Sequence, residues 1–198
     1  MTKKRFTDAL FSLLPSLLWL LPLLLCEPFS VSLSLLSATL IHESGHVFAF
    51  FLTSSGAPRL EGRAFGLLLM PSRPLSYKKE AVIALFGPLF NLILAVFLFL
   101  FSRPLFKEGE LLFIFINLCV GISNLLPISF FDGGRILFSS LALVFPLPVC
   151  EKISAFISFF TLFFLLFFSL WLLLLHDAGY KIFISVFLIL TFLAKKQR

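Results

Sequence analysis

Residues 29–53 read FSVSLSLLSATLIHESGHVFAFFLT, and the only ionisable side chains among them are His42, Glu43 and His46. A helix that crosses a bilayer needs about 20 mostly apolar residues, so this stretch is long enough to span. At helical spacing His42 and His46 are i and i+4, which puts both imidazoles on one face, one turn apart, able to share an ion. Two imidazoles and a carboxylate inside a span are costly unless they pair with one another or bind a metal. An interhelical hydrogen-bond cluster is the plain alternative. The stretch therefore predicts a membrane helix and the place in it where chemistry is done.

Working outward, the rest of the chain has the same character. Of 198 residues, 60% are hydrophobic and 13% charged, against about 25% charged for a soluble domain. The 29 Phe are spread through the apolar runs and read as lipid-facing and packing residues. Apolar runs near 10–26, 29–53, 81–101, 111–128, 153–175 and 180–194 predict an all-α polytopic membrane protein of about six transmembrane helices. Lys3, Lys4 and Arg5 ahead of the first run resemble a signal peptide. That run ends in Cys26-Glu27-Pro28 with no small-residue cleavage site, so a retained helix is expected. One membrane domain, 1–198, is expected, with a catalytic core of about 30–140.

The fourth run is interrupted by Pro127 and by Asp132-Gly133-Gly134 before apolar character resumes at Ile136. A broken helix is tolerated in a membrane only where protein or a water-filled cavity satisfies the freed backbone groups. The break marks an interior site. The net charge of +6 comes from basic residues at the ends of apolar runs, which points to membrane orientation and away from nucleic acid. Thirteen of the 16 fall on one side of the six-span layout, and Arg103, Lys107 and Lys181 on the other, so both termini are expected in the cytoplasm. The polar connection from Ser54 to Lys79, punctuated by Gly and Pro around Ala64 to Met70, is expected as a surface hairpin, a re-entrant loop or an irregular loop. Cys26, Cys119 and Cys150 form no CxxC pair and imply neither a disulfide framework nor a thiolate metal site.

Between two helical His a zinc ion lowers the pKa of coordinated water to about 7, and an adjacent carboxylate, here Glu43, can take the proton as that water attacks a polarised carbonyl. A catalytic zinc usually has three protein ligands. His42 to His46 lie about 20–25 Å into a span entering from outside, at 1.5 Å per residue. Asp132, beside the break in a span that enters from the same side, reaches a similar depth. The rival, His176, falls in an outer loop. Asp132 can instead cap the helix that follows it.

Three segments in order, His42-Glu43-Ser44-Gly45-His46, Gly87-Pro88-Leu89-Phe90-Asn91, and Asn124-Leu125-Leu126-Pro127 followed by Asp132-Gly133-Gly134, resemble the site-2 protease family of intramembrane zinc metalloproteases. The resemblance implies one zinc on His42, His46 and Asp132, Glu43 as general base, and Asn124 as a contact to the substrate backbone or the oxyanion. Gly87, Pro88 and Asn91 would serve close packing beside the site. The six-span layout is most similar to the bacterial branch that includes the sporulation protease acting on a membrane-tethered pro-sigma factor. It departs from that branch by ending at Arg198 without a nucleotide-sensing domain, and it lacks the PDZ domain of the stress-response branch.

Together these readings predict proteolysis of a membrane-spanning or membrane-tethered protein, a regulator of transcription first by analogy, within a bacterial cell membrane. Membrane regulatory partners are compatible with this; a nucleic-acid partner is not expected. The competing class is a metal transporter or an inactive relative that binds membrane helices. A transporter should show internal repeats with midplane ligands in both halves, and an inactive relative should lack Glu43 or a ligand. Neither pattern is present in the sequence.

Overall fold

The computed structural model describes residues 28–53, 59–63, 66–70, 75–101 and 108–175. Among them are five α-helices and one hairpin: α1 Phe29–Thr53, β1 Arg59–Arg63, β2 Gly66–Met70, α2 Tyr77–Phe101, α3 Glu108–Asn124, α4 Asp132–Leu141 and α5 Leu147–Leu175. Within the described residues α1, α2 and Leu147–Phe168 of α5 are long and apolar enough to cross a membrane. The expected spans 10–26 and 180–194 lie outside those residues. The chain divides between Leu125 and Leu126 into two compact units.

In the first unit α1 occupies the residues that the sequence predicts for it. Its hydroxyls bond back to carbonyls of the preceding turn: Ser37 to Leu33 at 2.8 Å, Thr39 to Leu35 at 2.9 Å, Ser44 to Ile41 at 2.6 Å and Thr53 to Ala49 at 2.7 Å. Each of these four hydroxyls is thus satisfied inside the helix, as a segment without access to water requires. Lipid tails are as apolar as Leu, so membrane helices associate through close packing of small residues rather than by burying large ones. Ala38, Ala49, Ala84 and Ala95 are accordingly among the most buried positions, while Leu40, Phe51, Ile93 and Leu100 face outward. Gly45 lets the α1 and α2 backbones approach closely: a β-carbon there would run into the Phe86 carbonyl of α2.

The connection between α1 and α2 carries an antiparallel hairpin paired from Arg59 with Met70 to Arg63 with Gly66. Of the forms the sequence left open, the backbone adopts this one, and it adds two strands to a helical fold. The helix α3 has 17 residues and ends at Asn124, short of the 111–128 run. Pro127 disfavours helical geometry at the residue before it.

The second unit begins with a tight loop. The Ile128 N–H donates to Leu126 O at 2.7 Å and the Phe131 N–H to Ile128 O at 2.8 Å. A β-carbon at Gly134 would strike the Ile128 carbonyl, so the loop can fold over the first turn of α4 only because Gly is there. From α5 the Ser158 hydroxyl donates to Pro127 O at 3.2 Å and so accepts from Ser129 Oγ at 2.9 Å. Pro148 sits in the first turn of α5, where a missing N–H costs nothing. Phe156, Phe159, Phe163, Phe164 and Phe167 on α5 are exposed, an apolar surface that suits lipid and that soluble proteins avoid.

Candidate metal centre

The i, i+4 spacing in α1 stacks His42 and His46 one turn apart, both 6% exposed. Their rings meet edge to face, with centroids 4.7 Å apart and planes at 87°, and their Nε2 atoms are 3.1 Å apart. The tautomers follow from the other ring nitrogens. The Asn117 amide donates to the Phe113 carbonyl at 2.9 Å. Its oxygen therefore faces Asn91, whose amide nitrogen donates to it at 2.9 Å and to the Ala38 carbonyl at 2.8 Å. With both N–H groups of Asn91 committed, only its oxygen is left for His42, and the His42 Nδ1–H donates to that oxygen at 3.2 Å. His46 Nδ1–H donates to the Ile83 carbonyl at 2.8 Å, a group that can only accept.

Both Nε2 atoms thus carry lone pairs, 3.1 Å apart. A cation or a proton is what fits between two such acceptors. Zinc–nitrogen bonds of about 2.0–2.1 Å in tetrahedral geometry hold two nitrogens about 3.3–3.4 Å apart, close to the separation here. The donor set suits zinc, and the Nδ1 bonds to an amide and a carbonyl are the outer-shell contacts that orient metal-ligating His.

The neighbouring helix supplies the floor. Gly87 lies against both rings: a β-carbon there would collide with the His46 ring and come within 3.0 Å of His42 Cε1. Pro88 follows inside α2. Having no N–H, it removes the helical bond to the Ala84 carbonyl, one residue from the carbonyl that His46 uses. Glu43 is half-buried and, one residue after His42, points about 100° further round α1.

Asn124 is the last residue of α3, and its amide donates to the Val120 carbonyl at 2.9 Å, using one of two N–H groups. In the second unit Asp132 opens α4 and is 6% exposed. The N-cap position belongs to Phe131, one residue earlier, so Asp132 occupies the first turn rather than the cap. Its Oδ1 accepts from Arg135 Nη1 at 3.1 Å, three residues on. His176 lies outside the described residues. Asn117, 0% exposed, was not singled out in the sequence. The signal was available: an amide in the middle of an apolar run is costly in a bilayer and needs a reason.

Residues 109–168 match the model of peptidase family M50. The match covers Asn117, Asn124 and Asp132 and excludes the helix bearing His42 and His46, so the two bodies of observation are independent. No curated protein matches the chain in sequence. Among solved structures the fold is similar to the site-2 protease from Methanocaldococcus jannaschii, with a TM-score of 0.59 and 22% identity over 89% of this chain and 86% of that one. Residues 109–168 thus resemble peptidase family M50, and the fold is similar to that of a solved site-2 protease.

Proposed function

We propose that the chain is an intramembrane zinc endopeptidase in which His42, His46 and Asp132 hold one zinc, Glu43 is the general base and Asn124 binds the substrate backbone or the developing oxyanion. The observation that carries this reading is the buried His pair, whose Nδ1 partners turn both Nε2 lone pairs to one point. Two His leave a catalytic zinc one protein ligand short, and Asp132, a buried carboxylate after a helix end, has the right chemistry. When bound, zinc polarises the scissile carbonyl and acidifies the attacking water. Glu43 takes the proton from that water as its oxygen bonds to the carbonyl carbon, then gives it to the leaving nitrogen as the C–N bond breaks. Asn124 has a second N–H to offer an oxyanion.

A helical peptide bond is shielded by its own hydrogen bonds, so a substrate span must unwind locally to reach the site. We take the substrate to be a single-span or tethered protein, with a regulator of transcription first, in keeping with the sporulation branch. The chain forms one membrane domain of six spans with the fourth interrupted, and both termini are cytoplasmic, as the thirteen flanking basic residues favour. Single cysteines placed in the 54–79 connection should label from the cytoplasmic side; labelling only from outside would reverse that orientation.

Purified wild-type protein and the His176→Ala variant should each contain one zinc per chain by elemental analysis. The His42→Ala, His46→Ala double variant and Asp132→Asn should lose it, and co-expressed tethered regulators should be cut only by the zinc-containing forms. Equal zinc in the double variant would place the metal elsewhere. Zinc retained by Asp132→Asn and lost by His176→Ala would reassign the third ligand.

A further inference from the structure

The hydrogen bonds behind His42 form a directed chain through three helices. Its far end is Asn117 on α3, wholly buried and 75 residues away in sequence from the imidazole it serves. Three steps make the chain one-way. The Asn117 amide nitrogen is spent on the Phe113 carbonyl of its own helix, which turns its oxygen outward. That oxygen fixes which end of Asn91 is the donor, and the Ala38 carbonyl on α1, one turn before His42, holds the second Asn91 N–H. The Asn91 oxygen is then directed at His42 Nδ1.

The packing allows this because Gly121, one turn beyond Asn117 on the same face of α3, sits against Leu92 and the Pro88 carbonyl, where a β-carbon would come within 2.9 Å of the Leu92 side chain. The close approach of α3 to α2 brings the two amides within hydrogen-bonding reach. Without Asn117 the Asn91 amide is held in this orientation by the Ala38 carbonyl alone, and when it turns over it presents N–H groups to His42. The imidazole would then have to accept at Nδ1, and its proton would move to Nε2, where it blocks a metal.

We propose that Asn117 is a positioning residue for the metal centre: acting through Asn91, it sets the tautomer of His42 that presents Nε2 as a ligand. The proposal rests on the reading of His42 as a zinc ligand. The chemistry offers a sharp pair of substitutions. Leu has the branching of Asn, is somewhat larger, and has no acceptor. Asp, neutral in a buried apolar site, has one O–H to donate to Phe113 and one carbonyl to accept from Asn91, the same pattern as the native amide.

The test is zinc affinity of the full-length protein in detergent, read by competition with a chelator of known affinity, with helicity followed by circular dichroism. Asn117→Leu should weaken zinc binding about 10- to 100-fold, the usual effect of losing an outer-shell partner, and Asn117→Asp should stay within about threefold of wild type, well under the Leu effect. In an Asn91→Leu background, Asn117→Leu should add no further loss, because its effect runs through Asn91. Asn117→Ala removes the same acceptor without a branched side chain and carries the same expectation if the Leu variant does not fold. Wild-type zinc affinity in the Leu or Ala variant, equal losses in Asp and Leu, or additive losses in the double variant would overturn the relay. Loss of helicity in Leu and Ala alike would make Asn117 a structural residue and overturn it too. His42→Ala is the control for the underlying site: if it kept wild-type affinity, the metal centre itself would be misassigned.

Discussion

Glu43→Gln should leave the zinc content of the protein at one per chain and lower the rate of substrate cleavage by about 100- to 10,000-fold, the range that general acid–base catalysis contributes. The substitution keeps the shape and half-buried position of the side chain and removes its ability to accept a proton. His42 and His46 are oriented by Asn91 and the Ile83 carbonyl, so the metal pair does not depend on the Glu43 charge. Asn124→Ala in the same assay should slow cleavage by a smaller factor, with zinc retained. Zinc lost together with activity in Glu43→Gln would make Glu43 part of the metal's support rather than a base. Full activity would remove it from the chemistry altogether.

Gly87→Ala should weaken zinc binding by about 10- to 100-fold, which corresponds to the 1–3 kcal/mol that overpacking a close-packed site typically costs. The added methyl points into the His46 ring and against His42, and the backbone beside it is not free to retreat, since Gly45 already lies against Phe86 where α1 and α2 cross. Rotation of the rings is the cheaper relief, and it takes Nε2 away from the metal. Gly109→Ala in α3 is the matched control. A β-carbon there meets nothing within 4 Å, so zinc binding should be unchanged. Wild-type zinc affinity in Gly87→Ala, measured by chelator competition, would mean that the helices can part more easily than their packing indicates.

The sequence was most legible where a boundary coincides with a change of polarity. The stretch 29–53 is helical from end to end because Pro28 precedes it and Gly56 and Pro58 follow. At the other helices hydropathy found the apolar part and missed the rest. The helix α2 starts at Tyr77 rather than 81, because Lys78, Lys79 and Glu80 form its polar first turn. The helix α5 starts at Leu147 rather than 153, with Glu151 and Lys152 already helical. Leu125 and Leu126 are apolar yet outside α3, since Pro127 acts on backbone geometry, which an apolar count does not register. His42, Glu43 and His46 stood out because charge at mid-span is expensive. Asn117 left the weaker signal of an amide in an apolar run, and which way it faces is a property of the assembled helices.

The partners that orient the two imidazoles, Ile83, Asn91 and Asn117, all precede Leu125 in the chain and lie in the unit that ends there. In the order of biosynthesis, the two imidazoles and every group that orients them are encoded before the second unit begins. By the time Asp132 leaves the ribosome, every side chain that fixes the tautomers of His42 and His46 has already been made. The nascent protein can then carry the oriented imidazole pair before any of the second unit is made.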